Sequence, residues 1–548
     1  MRLIPVVLLL AAPPAAAPGD QVPACGTVPE GGNDLQAQHR YWLQTRAGAL
    51  EAEGGRDFDL DHVAVLEDRG DLVARRNAFD LDRASLRFVP SAPGGYDAVP
   101  LAGSLEPAGT TLSLADDQAL ALDLPFGFPF FGHRYDRVFL HADGSLTFGE
   151  PDPGAGERSM ARFLSGPPRV AGFYRGLDLS RGGTLTSRLG TDRAVFQWNG
   201  VPGSGQINRN TFQLALMPTG EVEVVYGEMQ SREALVGVSP GGSFALTAAD
   251  LSQGLPLGSR GALVERFSET DRLDLVSAVR RFLSTHADLF DQVIVYTARS
   301  LNPVPGSLAF EINVRNEVRG IGQDMVDRGL EWGSPARLAS VVFMDAIDPY
   351  LEHDGFEILG HEVGHRWLTR VRFRDPGGNG NGLLGRGLVH WSFFLDSDAS
   401  VMEGNEIADR GGGRFETVDF ARGYSALDQY VMGFRAPEEV PPFFFVEGAD
   451  DFRPNRPYRA STAPEAGVSF TGVRRDVRIE DVIAALGPRE PDHTRAPRLM
   501  RQAFVIVGDA LAPVTEVRRR AVARIRARFE DEYRRATGAR ATVDTTLP

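Results

Sequence analysis

The chain has 548 residues, 42% of them hydrophobic and 24% charged, the composition of a globular protein too long for one ordinary domain. A net charge of −15 argues for solubility and against nucleic-acid binding as the main activity. None of the 58 basic residues is a lysine, which excludes lysine Schiff-base and lysine general-base chemistry.

Met1-Arg2, an apolar run over residues 3–10 and an Ala/Pro-rich stretch to Ala17 read as a secretory signal peptide over residues 1–17. The apolar core is too short for a membrane span, and no later stretch qualifies as a transmembrane segment. Cys25 is the single cysteine, so an intramolecular disulfide is excluded. Val22-Pro23-Ala24-Cys25 loosely resembles a lipoprotein cleavage box, although the polar residues 18–21 count against anchoring there. The expected location is secreted, cell-surface or periplasmic, in a bacterium.

Residues 26–95 form an N-terminal β-containing segment. Asp57, Asp59 and Asp61 alternate before the strand-like Val63-Ala64-Val65-Leu66. The Gly and terminal Glu of a calcium loop are missing, so a solvated strand edge is the expectation.

From about 100 to 245, short β-branched and aromatic runs alternate with Gly, Asp and Asn turns. Examples are Val138-Phe139-Leu140 before Asp143-Gly144, then Val195-Phe196-Gln197-Trp198 and Phe212-Gln213-Leu214. Hairpin-spaced strands predict a β-sandwich-like module. Phe126-Gly127-Phe128-Pro129-Phe130-Phe131-Gly132, Asp143-Gly144-Ser145-Leu146-Thr147-Phe148-Gly149, Asn210-Thr211-Phe212-Gln213 and Val236-Gly237-Val238-Ser239-Pro240-Gly241 follow one another in an order that resembles the nidogen-like (NIDO) domain. The resemblance implies an extracellular interaction module and brings no catalytic residue.

Residues 265–548 read as a second, mixed α/β domain with a helical C-terminal part. Leu275, Val276, Val279 and Phe282 mark a helix within 270–290, and strands are expected at 292–296, 309–314 and 339–344. Then comes Gly360-His361-Glu362-Val363-Gly364-His365. On a helix, His361 and His365 lie one turn apart on one face and can reach one metal ion, with Glu362 beside them to take a proton from water. The chain has only ten histidines, which makes an accidental pairing less easy. Asp354 and Glu357 form a candidate capping pair for this helix.

The motif H-E-x-x-H with three preceding strands resembles the zincin metallopeptidases. That resemblance implies Zn2+ as cofactor, a protein or peptide substrate, and an edge strand that holds the substrate in extended form. A third ligand is needed. The position six residues after His365 is Val371, and the position eighteen residues after it is Leu383, so the two best-known spacings fail. Among later histidines only His390 and His493 remain. His390, across a Gly/Asn-rich loop, is the leading candidate, with Asp396, Asp398 and Glu403 as carboxylate alternatives. The run 391–403 loosely resembles the helix that carries a glutamate ligand in some zincins.

Within residues 424–434, Tyr430 is a candidate oxyanion donor and Met432 a candidate floor beneath the metal; a buried helix ending at Gly433 explains both without chemistry. The arginine-rich segment 516–535 reads as an amphipathic helix with a solvated outer face. Together these residues predict a multidomain α+β protein: an exported zinc-dependent endopeptidase with His361, His365 and His390 as ligands and Glu362 as base. The alternatives are an adhesion or matrix-binding protein with a degenerate zincin domain, and a zinc hydrolase acting on something other than peptides. Oligomeric state and cleavage specificity are not written in the sequence.

Overall fold

The β-branched and aromatic runs between residues 85 and 267 form two seven-stranded sheets in the computed structural model. The structure describes residues 31–46, 56–92, 94–152, 158–254, 258–304, 307–451 and 458–548; residues 1–17, expected to be a signal peptide, and Cys25 lie outside them. The first sheet runs Leu246–Ala248, Ala262–Phe267, Ala234–Ser239, Arg169–Tyr174, Ser145–Thr147, His133–His141, Ala119–Phe130. The second runs Tyr96–Pro100, Ser85–Pro90, Val222–Met229, Asn210–Leu216, Ala194–Val201, Thr184–Leu189, Thr110–Leu112. Val170 and Val236 of the first share one core with Phe88, Phe196 and Val224 of the second, which makes this unit a β-sandwich. Trp198 stacks on its cross-strand partner Phe212, centroids 4.7 Å apart and planes at 9°. Its Nε1–H donates to the Ala142 carbonyl at 3.2 Å, so the largest buried ring leaves no unsatisfied donor.

The sandwich unit spans Arg76–Glu269, and the described residues before it join Thr270–Pro548 in a second unit. The sandwich is therefore an insertion in the second unit's sequence, and the boundaries fall at Arg76 and Glu269. The segment expected as 26–95 divides between the two units because Val63–Glu67 pairs in parallel with Leu499–Gly508, far along the chain. Of the three alternating aspartates, Asp57 and Asp61 flank that strand's neighbour, Phe58–Leu60, and Asp59 lies in it: Asp57 pairs with Arg281 at 2.7 Å and Asp61 with Arg519 at 2.6 Å, and Asp59 stands 3.1 Å from His286 Nε2.

The second unit is built on a mixed sheet in the order Phe58–Leu60, Val63–Glu67, Leu499–Gly508, Gln292–Thr297, Ser340–Ala346, Phe310–Asn313, with Thr542–Asp544 beside Leu499–Gly508. Both faces are buried, so its strands read as continuous apolar runs rather than alternations. Ala64, Val293, Val341 and Val505 face one core, covered by Val276, Val279 and Phe282 of the Leu275–Thr285 helix. Val65, Ile294, Val342 and Phe504 face the other, covered by Leu359 and Val363 of Phe356–Gly364 and by Val522, Ile525 and Phe529 of Glu516–Ala536. The amphipathic helix expected at 516–535 thus forms, with Arg518 and Arg524 on ion pairs to Asp348 and Asp354.

The C-terminal part is not wholly helical. Asn405–Gly411, Arg414–Phe420, Ser469–Val477 and Phe443–Asp451 make an antiparallel four-stranded sheet in that order. Ile407, Phe415, Phe444 and Phe470 give it a small core of its own. Among the described residues no helix is long and apolar enough to cross a membrane.

Candidate metal centre

The helix Phe356–Gly364 starts at Gly355, which adopts φ 61° and ψ 34°. A Cβ there would come within 2.4 Å of the Tyr350 ring, so glycine suits the start on both counts. The expected Asp354 cap does not form, because its carboxylate is taken by Arg524 at 2.9 Å and by Arg528. Leu359 and Val363 anchor the helix on the sheet, and Gln292 Nε2 donates to the Val363 carbonyl at 3.4 Å. The opposite side carries His361 and His365, one turn apart, with ring centroids 4.6 Å apart.

His390 reaches this pair through a tight return of the chain. Phe373–Asp375 and Gly378–Gly380 form a short hairpin, a turn follows at Arg386–Leu388, and Gly385 N–H then donates to the His390 carbonyl at 2.8 Å. A Cβ on Gly385 would meet the Trp391 carbonyl at 2.4 Å and that of Ala460 at 2.5 Å, so only glycine allows this close approach. The His390 ring lies 5.1 Å from His361, nearly parallel at 18°, and 5.0 Å from His365 at 90°. One nitrogen from each of the three histidines lies within 4.8 Å of the others.

Backbone carbonyls orient all three rings. Nδ1 of His361 faces the Val401 carbonyl at 2.9 Å, that of His365 faces Leu368 at 3.3 Å, and that of His390 faces Arg386 at 2.7 Å. A carbonyl only accepts, so each Nδ1 holds the proton and each Nε2 offers a lone pair. His361 and His365 Nε2 stand 2.9 Å apart, lone pair against lone pair, an arrangement that a cation between them would relieve. Burial holds the pKa of His361 below the ordinary histidine range, and burial with the two neighbouring imidazoles holds His365 well below it. Neutral imidazole is the form that binds metal. Three nitrogen donors with a shell of backbone acceptors fit a zinc site, and Glu362, fully buried, follows His361 directly.

The shell continues to Asp428 in the helix Ala426–Met432. Its carboxylate accepts from Trp391 Nε1–H at 2.9 Å, from the Ser400 hydroxyl at 2.6 Å and from Ser425 N–H at 2.8 Å. Trp391 follows His390, and Ser400 precedes Val401, so one buried carboxylate steadies the supports of two histidines. Neither Asp428 nor Arg386 stood out in the sequence: Trp391 and Ser400 lie 37 and 28 residues from Asp428, and Arg386 meets His390 and Glu403 only through the loop between them; an acid three residues after a capping serine was the only local signal.

The other candidates are placed elsewhere. Asp396 accepts from Ile407 N–H at 3.0 Å, and Asp396 and Asp398 do not join the histidine group. Glu403 Oε1 stands 3.9 Å from His390 Nε2 and is bound to Arg386. Residues 391–403 form no helix among the described residues; Asp398, Ala399 and Glu403 adopt positive φ. The Tyr430 hydroxyl accepts from Arg489 N–H at 3.3 Å. The Met432 carbonyl accepts from Arg489 Nη2 at 3.0 Å, and the methionine beside the Phe356–Gly364 helix is Met402, whose Sδ would lie 2.7 Å from a Cβ on Gly364.

Residues 94–258 match the NIDO-related family model. The match covers the sandwich alone, and no curated protein and no solved structure matches the chain. In the NIDO-related module the aromatic motif packs as a block, with Phe128 stacked on Phe148 at 5.2 Å. The Asp143-Gly144 turn takes φ 82° at Gly144, where a Cβ would strike the Phe173 carbonyl at 2.2 Å.

Proposed function

We propose that this chain is an exported zinc-dependent endopeptidase in which His361, His365 and His390 hold the metal and Glu362 is the general base. The convergence of three Nε2 lone pairs, each fixed by a carbonyl behind it, carries this reading. When bound, zinc supplies Lewis-acid activation of water near neutral pH. Glu362 accepts the proton and returns it to the leaving amine. Phe310–Asn313 ends the mixed sheet, antiparallel to its neighbour, in the position a substrate-holding strand would take, with Phe310, Glu311 and Ile312 buried in this structure. Asn313 Nδ2 donates to Gln323 Oε1 at 2.8 Å, and Gln323 Nε2 donates to the His365 carbonyl at 3.3 Å, tying that edge to the metal helix.

Glu362→Gln tests this assignment. The variant is expected to keep zinc and lose chelator-sensitive peptide hydrolysis by roughly 10²–10⁴-fold; full activity would remove Glu362 from the role of base. The match to the NIDO-related model favours a second reading, an extracellular binding protein whose second unit is catalytically silent. Purified protein that binds no zinc and shows no chelator-sensitive proteolysis would support that one. The site chemistry also suits a hydrolase of non-peptide bonds, which the same assay on ester and amide substrates separates.

A further inference from the structure

One neighbour of the histidine cluster competes for the electrons a metal would use. Arg386 Nη2 stands 3.0 Å from His390 Nε2. Because His390 Nδ1 donates to the carbonyl of Arg386 itself, Nε2 is left as an acceptor, and the guanidinium, which can only donate, takes its lone pair. Glu403 grips the same guanidinium at two points, Oε2 accepting from Nε at 3.2 Å and Oε1 from Nη2. A metal ion and this guanidinium cannot use the His390 lone pair together.

The pair is also nearer to solvent than the histidine it touches. The Arg386 and Glu403 side chains are 15% and 17% exposed, against 0% for His390. The backbone around both is unusual: Gly387 and Leu388 follow Arg386 at φ 62° and 55°, and Glu403 itself sits at φ 62°. Non-glycine residues hold such angles where surrounding contacts over-determine them.

We propose that Arg386, held by Glu403, is a built-in latch on the metal centre. The guanidinium occupies the lone pair of His390 until a divalent cation such as zinc displaces it, and it swings aside on Glu403 when the metal enters. The latch rests on the reading of the three histidines as metal ligands.

Metal-free full-length protein, titrated with zinc against a chromophoric chelator and followed by stopped flow, tests it in wild type, Arg386→Met and Glu403→Gln. Arg386→Met is expected to bind zinc roughly tenfold to a hundredfold more tightly, and faster, as one charge-assisted hydrogen bond is removed. Glu403→Gln is expected to move the same way by less. Equal affinity and rate in wild type and Arg386→Met would overturn the latch and leave the three-histidine site standing. Weaker zinc binding in Glu403→Gln, without a gain in Arg386→Met, would make Glu403 a ligand and also overturn it. No stoichiometric zinc in any of the three would remove the metal centre and the latch with it. Should the Met variant fail to fold, Arg386→Lys keeps the charge with a one-point grip and is expected to fall between wild type and Glu403→Gln.

Discussion

Asp428 Oδ1 accepts a hydrogen bond from Trp391 Nε1–H at 2.9 Å, joining a helix 37 residues downstream to the neighbour of His390. The same carboxylate holds Ser400, next to the carbonyl that orients His361. Asp428→Ala would strand three buried donors and is expected to cost roughly 3 kcal/mol or more of stability, with zinc affinity falling about tenfold to a hundredfold. Asp428→Asn keeps an acceptor for Trp391 and loses the one at Oδ2 that Ser400 and Ser425 N–H use, about 2 kcal/mol and less than Asp428→Ala. Chemical denaturation and zinc titration of both variants measure the difference; equal effects would show that the hydrogen bonds to this carboxylate do not matter.

The identity of the third ligand has a direct test. His390→Ala is expected to lose more than about a hundredfold in zinc affinity, beyond what a supporting residue contributes. Asp396→Asn should stay within about threefold, since that carboxylate serves Ile407 N–H. A reversed ranking would move the site toward the carboxylates.

Gly385→Ala would place a Cβ 2.4 Å from the Trp391 carbonyl and 2.5 Å from that of Ala460. Both obstacles are backbone, so the loop segment carrying His390 must shift. A loss of roughly 2–3 kcal/mol and weakened zinc binding are expected. A variant with wild-type thermal stability would show that this return of the chain is more yielding than the close packing implies.

In the NIDO-related module, burial lowers the pKa of His141 from 6.5 to about 4. Thr147 Oγ1 donates to the Glu150 carbonyl and so accepts from His141 Nε2–H, 2.9 Å away, which leaves Nδ1 to take any added proton. The unfolded chain gains that proton near pH 6.5 and the folded chain only near pH 4. Stability is therefore full above about 6.5 and falls as pH drops toward 4, by on the order of 2–3 kcal/mol. His141→Gln is expected to flatten this slope in calorimetric unfolding between pH 7 and 4; an unchanged slope would assign it to other groups.

The sandwich strands and the helix that carries His361 were legible because their signals are local. Val138 to Leu140 or Phe212 to Leu214 need only adjacent residues, and His361 and His365 share a face through helical periodicity alone. The four-stranded sheet after residue 405 went unread because its core, Ile407 with Phe415, Phe444 and Phe470, comes from segments up to 63 residues apart. Asp354 looked like a cap until Arg524 and Arg528 arrived from another helix and took its carboxylate.

By itself the sequence placed His361 and His365 one turn apart on one face with Glu362 beside them, given a helix there of 3.6 residues per turn, and the structure sets His365 at that helix's C-terminal cap. Tertiary structure alone decided the rest. It brought His390 back through the Gly385 turn and set a carbonyl behind each imidazole. It placed Arg386 and Glu403 against His390 and routed Val63–Glu67 into the sheet from before the inserted module. Those relations depend on long-range closure and on which backbone groups are left without partners, and neither is encoded in the spacing of neighbouring residues.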